Sequence, residues 1–211
     1  MSLFIFINIY CRGMAGTELS PLPRWVRIWF WISSVFVFFD ATFCVFRPHT
    51  LPGTGGILAM LYYPYKYYIM VDRRYGDATD SFSLSQGLCN YVEIVLNIIA
   101  LNLPSRYVKE TKLTAFMAST MTMWKSFLYL LMFYDLGGGD SSYRENANYI
   151  LEFIFAVIPV IIWIIVPLII IRNMWKDIVV QNDDNAYENE EENYEKQSMT
   201  GKYNLRQRTK N

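Results

Sequence analysis

Residues Phe82 to Leu103 read FSLSQGLCNYVEIVLNIIALNL, with one ionisable group, Glu93, near the middle of the run. A stretch of this length, at about 1.5 Å rise per residue, spans the roughly 30 Å of hydrocarbon in a bilayer. Sheet edges and lipid-exposed loops would leave backbone groups unsatisfied at that depth, so the segment must be a helix. Ser83, Gln86, Asn90, Glu93 and Asn97 recur at steps of three and four, which puts them on one helical face. A carboxyl group flanked by amides is costly against lipid, so this face is expected to turn inward.

Three further segments reach spanning length: Trp25 to Phe46, Leu113 to Tyr134 and Asn148 to Ile171. The first contains Asp40 and the second Lys125, so three ionisable side chains fall at membrane depth. Ser33, Asp40 and Arg47 repeat at steps of seven, Thr122, Lys125 and Tyr129 share a face, and Glu152, Pro159 and Trp163 follow at steps of seven and four. Counted from the cytoplasmic ends at about 1.5 Å per residue, Trp163, Glu93, Lys125 and Asp40 fall within roughly 10 Å of depth. They define one candidate pocket, with Asn90, Asn97, Lys125, Tyr129 and Trp163 as ligand-binding residues and Asp40 and Glu93 as the carboxylates. Two other readings stay open: Glu93 and Lys125 as a buried ion pair with the amides as interhelical glue, and Trp163 as a packing residue.

The expected fold is all-α, an integral membrane four-helix bundle with both termini cytoplasmic. Arg24 and Arg27 precede or open the first span, Arg106, Lys109 and Lys112 fill the second short loop, and Arg172 with Lys176 follows the fourth span. Positive residues favour the cytoplasm, and Trp25, Trp29, Trp31 and Trp175 suit an aromatic belt on that side. In domain terms, residues 1–24 form an N-terminal extension, 25–176 the membrane domain and 177–211 a disordered polar tail. The tail's acidic run at Glu188 and Glu190 to Glu192, followed by Lys202, Arg206, Arg208 and Lys210, has the composition of disorder. The loop from Arg47 to Ser81 holds Tyr62, Tyr63, Tyr65, Tyr67, Tyr68 and Tyr75, amphipathic groups expected to lie in the headgroup zone and cap the bundle mouth. Its LPGTGG run, Leu51 to Gly56, lacks the Gly-Lys-Ser/Thr of a phosphate loop and reads as a turn.

Composition agrees with this class: 53% of the 211 residues are hydrophobic and only 18% charged. A net charge of zero gives no basic face for nucleic acid, which is excluded as a partner. Three cysteines, Cys11, Cys44 and Cys89, do not make a disulfide framework. No cofactor or metal is called for. The expected partners are the lipid bilayer and a sterol or other apolar small molecule, with a homodimer left open.

The order of features resembles the emopamil-binding protein family, whose shared EXPERA domain is a four-helix membrane domain found in a sterol isomerase and in the sigma-two receptor. The likeness is carried by Asp40 late in the first span, by Tyr75-Gly76-Asp77, by Val92-Glu93-Ile94-Val95, by Leu128-Tyr129 and by Trp163 with Pro167, and it covers Trp25 to Lys176. Phe36, Ser126 and Val160 stand where the isomerase pattern has a histidine, an aspartate and an asparagine. The resemblance implies location in the endoplasmic reticulum and one of two functions. The first is a sterol isomerase that moves a ring double bond from the delta8 to the delta7 position, with Asp40 and Glu93 in acid and base roles and Trp163 holding the carbocation through its ring face. The second is a non-catalytic protein of the sigma-two kind that binds a sterol or a cationic amphiphile. Lys125 separates the two, because an ammonium group paired with Glu93 would hold that carboxylate ionised and spoil it as a proton donor.

Overall fold

The structure is a computed structural model and describes residues 21–134, Leu136, 149–180 and Lys196. Its elements are helices α1 (Arg24–Val45), α2 (Tyr65–Ile69), α3 (Ser81–Asn102), α4 (Val108–Phe133) and α5 (Tyr149–Val180), with a 3-10 turn at Arg73–Tyr75 before α3. No strand occurs among the described residues. Three helices, α1, α3 and α5, are long and apolar enough to cross a membrane. The fourth expected span, α4, has the length at 26 residues, but threonines, serines, Lys109, Glu110, Lys112 and Lys125 take it below the hydropathy of the other three.

Local chemistry sets the boundaries. Pro23 precedes the first turn of α1, where a missing N–H costs nothing. The Asp80 carboxylate caps α3 by accepting from Ser83 N at 2.7 Å, and Pro104 follows the helix end. Helix α4 starts at Val108, earlier than the apolar run alone suggests, because a polar first turn is free to project beyond hydrocarbon. Helix α5 extends past the expected Ile171 to Val180, and Lys112 of α4 pairs with its Asp177 at 3.1 Å. The rest of the polar tail apart from Lys196, residues 1–20 of the extension, and most of the α4–α5 loop lie outside the described residues.

Packing is layered. Near one end, Val26 and Phe30 of α1, Ala100 of α3, Ala115 and Ala118 of α4, and Ile170 and Met174 of α5 form one buried apolar cluster. Near the other, Phe43, Tyr62, Val71, Tyr75, Tyr129, Phe133 and Ala156 form a second. Ser33 and Asp40 of α1, Asn90, Glu93 and Asn97 of α3, and Thr122, Lys125 and Ser126 of α4 lie between these two plugs along their helices. The outer surface is the reverse: Ile32, Phe39, Leu88, Val95, Met117, Phe127, Ile161 and Ile165 are exposed. Apolar outside with a polar layer inside is the distribution expected where lipid is the solvent.

Helices α1 and α3 approach closely because Gly87 has no side chain. A Cβ there would stand 3.0 Å from Cys44 Cβ and 3.3 Å from the Ala41 carbonyl, the small-residue contact that lets membrane helices meet. The loop after α1 is clamped by Arg47, which donates to the carbonyls of Cys44 (3.0 Å), Arg74 (2.7 Å), Asp77 (2.6 Å) and Asp80 (3.3 Å). The Leu51–Gly56 run is a turn, with Gly53 and Gly55 at φ of 87° and 69°, the left-handed region that glycine enters without penalty. The loop's tyrosines divide. Tyr63 and Tyr67 face outward, whereas Tyr62, Tyr65 and Tyr75 pack on Phe43, with ring centroids 5.5, 4.1 and 6.0 Å away.

Candidate functional site

Between the two apolar plugs lies a cavity of about 370 Å³, within the size range of small-molecule pockets. One wall is apolar: Phe36 and Val37 from α1, and Phe155, Pro159, Val160 and Trp163 from α5. The opposite wall is polar: Asp40 from α1, Gln86 and Asn90 from α3, and Lys125, Ser126 and Tyr129 from α4. Tyr65, Tyr68 and Tyr75 close it from the loop side.

Each carboxylate has a defined setting. Asp40 Oδ2 accepts from Asn90 Nδ2 at 2.9 Å and from the Tyr75 hydroxyl at 3.5 Å, so α1, α3 and the loop meet on one oxygen. Glu93 is 1% exposed and does not line the cavity; Lys125 Nζ stands 2.9 Å from its Oε2. Lys125 also donates to Asn90 Oδ1. The order Asp40, Asn90, Lys125, Glu93 is therefore one continuous chain of polar contacts from the cavity wall to the α3–α4 interface. Glu93 Oε1 is buried without a hydrogen-bond partner, so Lys125 is the group that compensates this carboxylate.

Of the seven residues singled out in the sequence, Asp40, Asn90, Lys125, Tyr129 and Trp163 come together on the cavity, while Glu93 and Asn97 do not. Asn97 is buried nearer the C-terminal end of α3 and donates to Ser34 Oγ at 3.2 Å, a bond that joins α3 to α1. It is glue between helices, and its distance from the cavity follows from the two turns that separate it from Asn90. Trp163 packs against Trp29 at 5.2 Å and edge-on against Phe36 at 6.3 Å, which holds the indole at the cavity wall. A π-helical turn at Phe153–Val157, with Ile158 N bonded back to Phe153 O, precedes Pro159 and shifts the register of α5 beside the cavity.

Periodicity missed the loop's contribution. Tyr65, Tyr68 and Tyr75 were visible as a tyrosine cluster, but a loop has no period from which an inward face can be read. Asp72 was likewise unassigned. It is buried, accepts from Tyr129 at 2.8 Å, and burial raises its carboxyl above the usual carboxylate range against the opposing pull of Tyr129 and Arg74.

Among the described residues no group of three or more histidine, cysteine or acidic side chains could hold a metal ion. The cavity sets an apolar wall against charged, amide and hydroxyl groups. Comparison with protein-family models, with curated proteins and with solved structures gives no match. The fold and the apolar surface define an all-helical integral membrane protein.

Proposed function

We propose that this chain is a ligand-binding membrane protein of the emopamil-binding kind, whose four long helices all cross the membrane of the endoplasmic reticulum with both termini on the cytoplasmic side. Its ligand is a sterol or a related apolar molecule held in the cavity between α1, α3, α4 and α5. Support for α4 as the fourth span comes from its outer face, where Leu113, Met117, Trp124, Phe127 and Leu128 are exposed, while its polar residues Thr122, Lys125 and Ser126 turn inward.

One observation carries the functional reading: Asp40 and Trp163 face the same apolar-walled cavity while Glu93 is withdrawn from it and paired with Lys125. Asp40 offers an acceptor to a ligand's polar end, and the Trp163 side offers an aromatic wall. Equilibrium binding of a radiolabelled sterol to the purified full chain in detergent is the test. Asp40→Asn and Trp163→Ala should each weaken binding at least about tenfold; unchanged affinity in both variants would refute the pocket as the binding site.

The isomerase reading needs a second proton-transferring group on the cavity, and the pairing of Glu93 argues against that role. Expression in a cell that lacks sterol isomerase, followed by mass spectrometry of the accumulated sterol, separates binding from catalysis. The expected result is no conversion. Conversion that is abolished by Glu93→Gln would assign the enzyme activity instead.

A further inference from the structure

The tyrosines that close the cavity are connected in a way that fixes what they can offer a ligand. Tyr129 donates its hydroxyl hydrogen to Asp72 Oδ2 at 2.8 Å. The other carboxylate oxygen, Oδ1, accepts from the Arg74 backbone N–H at 3.0 Å, so Asp72 receives hydrogen bonds on both sides. Tyr68 Oη lies 2.7 Å from Tyr129 Oη. A phenol has one hydrogen, and that of Tyr129 is already committed to the carboxylate. The bond between the two hydroxyls must therefore be made by the hydrogen of Tyr68. Nothing remains on Tyr68 to donate, and its oxygen, on the cavity wall, presents lone pairs alone.

We propose that Tyr68 is a specificity-determining residue of the pocket, an obligate acceptor set by the Tyr129–Asp72 chain behind it, and that it selects an apolar ligand carrying a hydroxyl group over one carrying a carbonyl at the same position. Asp72 and Tyr129 are positioning residues in this scheme: Asp72 does not line the cavity and acts through the direction it imposes on two hydroxyls. A ligand carbonyl set against Tyr68 brings two acceptors together with no hydrogen between them, which leaves a buried polar atom unsatisfied. Lys125 and Gln86, elsewhere on the wall, can donate, so a carbonyl ligand is disfavoured at this contact and not excluded from the cavity.

This inference rests on the pocket reading above, and the experiment separates the two. Binding of cholestanol and of cholestan-3-one, which differ only in alcohol against ketone, is measured on the purified full chain and on Tyr68→Phe and Tyr129→Phe. The wild-type protein should favour the alcohol by about tenfold. Each variant should reduce that preference to within about twofold, Tyr68→Phe by removing the acceptor that favours the alcohol and Tyr129→Phe by freeing the Tyr68 hydrogen to donate to the ketone; the helical circular dichroism and melting temperature of each variant report its fold. If wild type shows no preference, or if the preference survives in Tyr68→Phe, the assignment of Tyr68 is overturned and the pocket reading stands. If neither sterol binds wild type, the pocket reading fails and this inference falls with it. Should Tyr129→Phe lose both ligands through misfolding, Tyr68→Phe, on the cavity wall and in front of the chain, decides the outcome.

Discussion

Lys125 ties two helices together through two partners: its ammonium contacts Asn90 and stands 2.9 Å from Glu93 Oε2. Removing one member of a buried pair leaves the other charge uncompensated, at about 3–5 kcal/mol, whereas neutralising both costs far less. Lys125→Met should therefore lower thermal stability in detergent by that order, and Lys125→Met with Glu93→Gln should recover most of the loss. Asp72 makes a second prediction. Burial raises its carboxyl above the ordinary 3.8, against Tyr129 and Arg74 and with Asp80 adding to the rise. Between those two values the folded state binds more protons than the unfolded one, so the stability this residue contributes falls as pH rises through the window. Asp72→Asn should flatten that part of a stability profile measured from about pH 4 upward; an unchanged slope would show that another group sets it. The inward polar faces of α1, α3 and α4 were legible in the sequence, because a charge in lipid is costly enough to fix helix rotation at Asp40, Asn90 and Lys125. Whether Lys125 met Glu93 was not legible, since that depends on the rotation of two helices against each other.

Gly87 shows how an element is positioned by what it lacks. Alanine is the better helix former by about 1 kcal/mol, yet a Cβ at this position would press on Cys44 and on the Ala41 carbonyl. Gly87→Leu should separate α1 from α3, lower the melting temperature, and weaken sterol binding as Asp40 and Asn90 move apart; full stability and affinity in this variant would contradict the close approach. Arg47 does for the loop what Gly87 does for the helix pair. Five carbonyls, that of Tyr75 among them, converge on its guanidinium, and through them the segment bearing Tyr75 is held over the cavity. In the sequence Arg47 sat at the end of a heptad stripe, which placed it on the right face but said nothing of the carbonyls it would collect. The extents of α4 and α5 were misjudged for a shared reason: hydropathy marks where lipid ends, and a helix continues past that point while its turns remain satisfied, as the Lys112–Asp177 pair illustrates.

Seen whole, the molecule is inverted relative to a water-soluble bundle, with isoleucine, phenylalanine and leucine outside and carboxylates, amides and an ammonium inside. That inversion was readable from composition and from the four apolar runs. The cavity was not, because its volume arises from where two apolar clusters stop and from a loop whose tyrosines have no helical register. In the proposed function this internal space, and not the lipid-facing surface, receives the ligand. Photolabelling of the purified chain with a diazirine-bearing sterol, followed by peptide mapping with and without excess unlabelled sterol, tests it most directly. The predicted result is competable adducts on the cavity-wall residues Phe36, Tyr68 or Trp163. Adducts confined to outward residues such as Ile161 and Ile165, undiminished by the competitor, would contradict it.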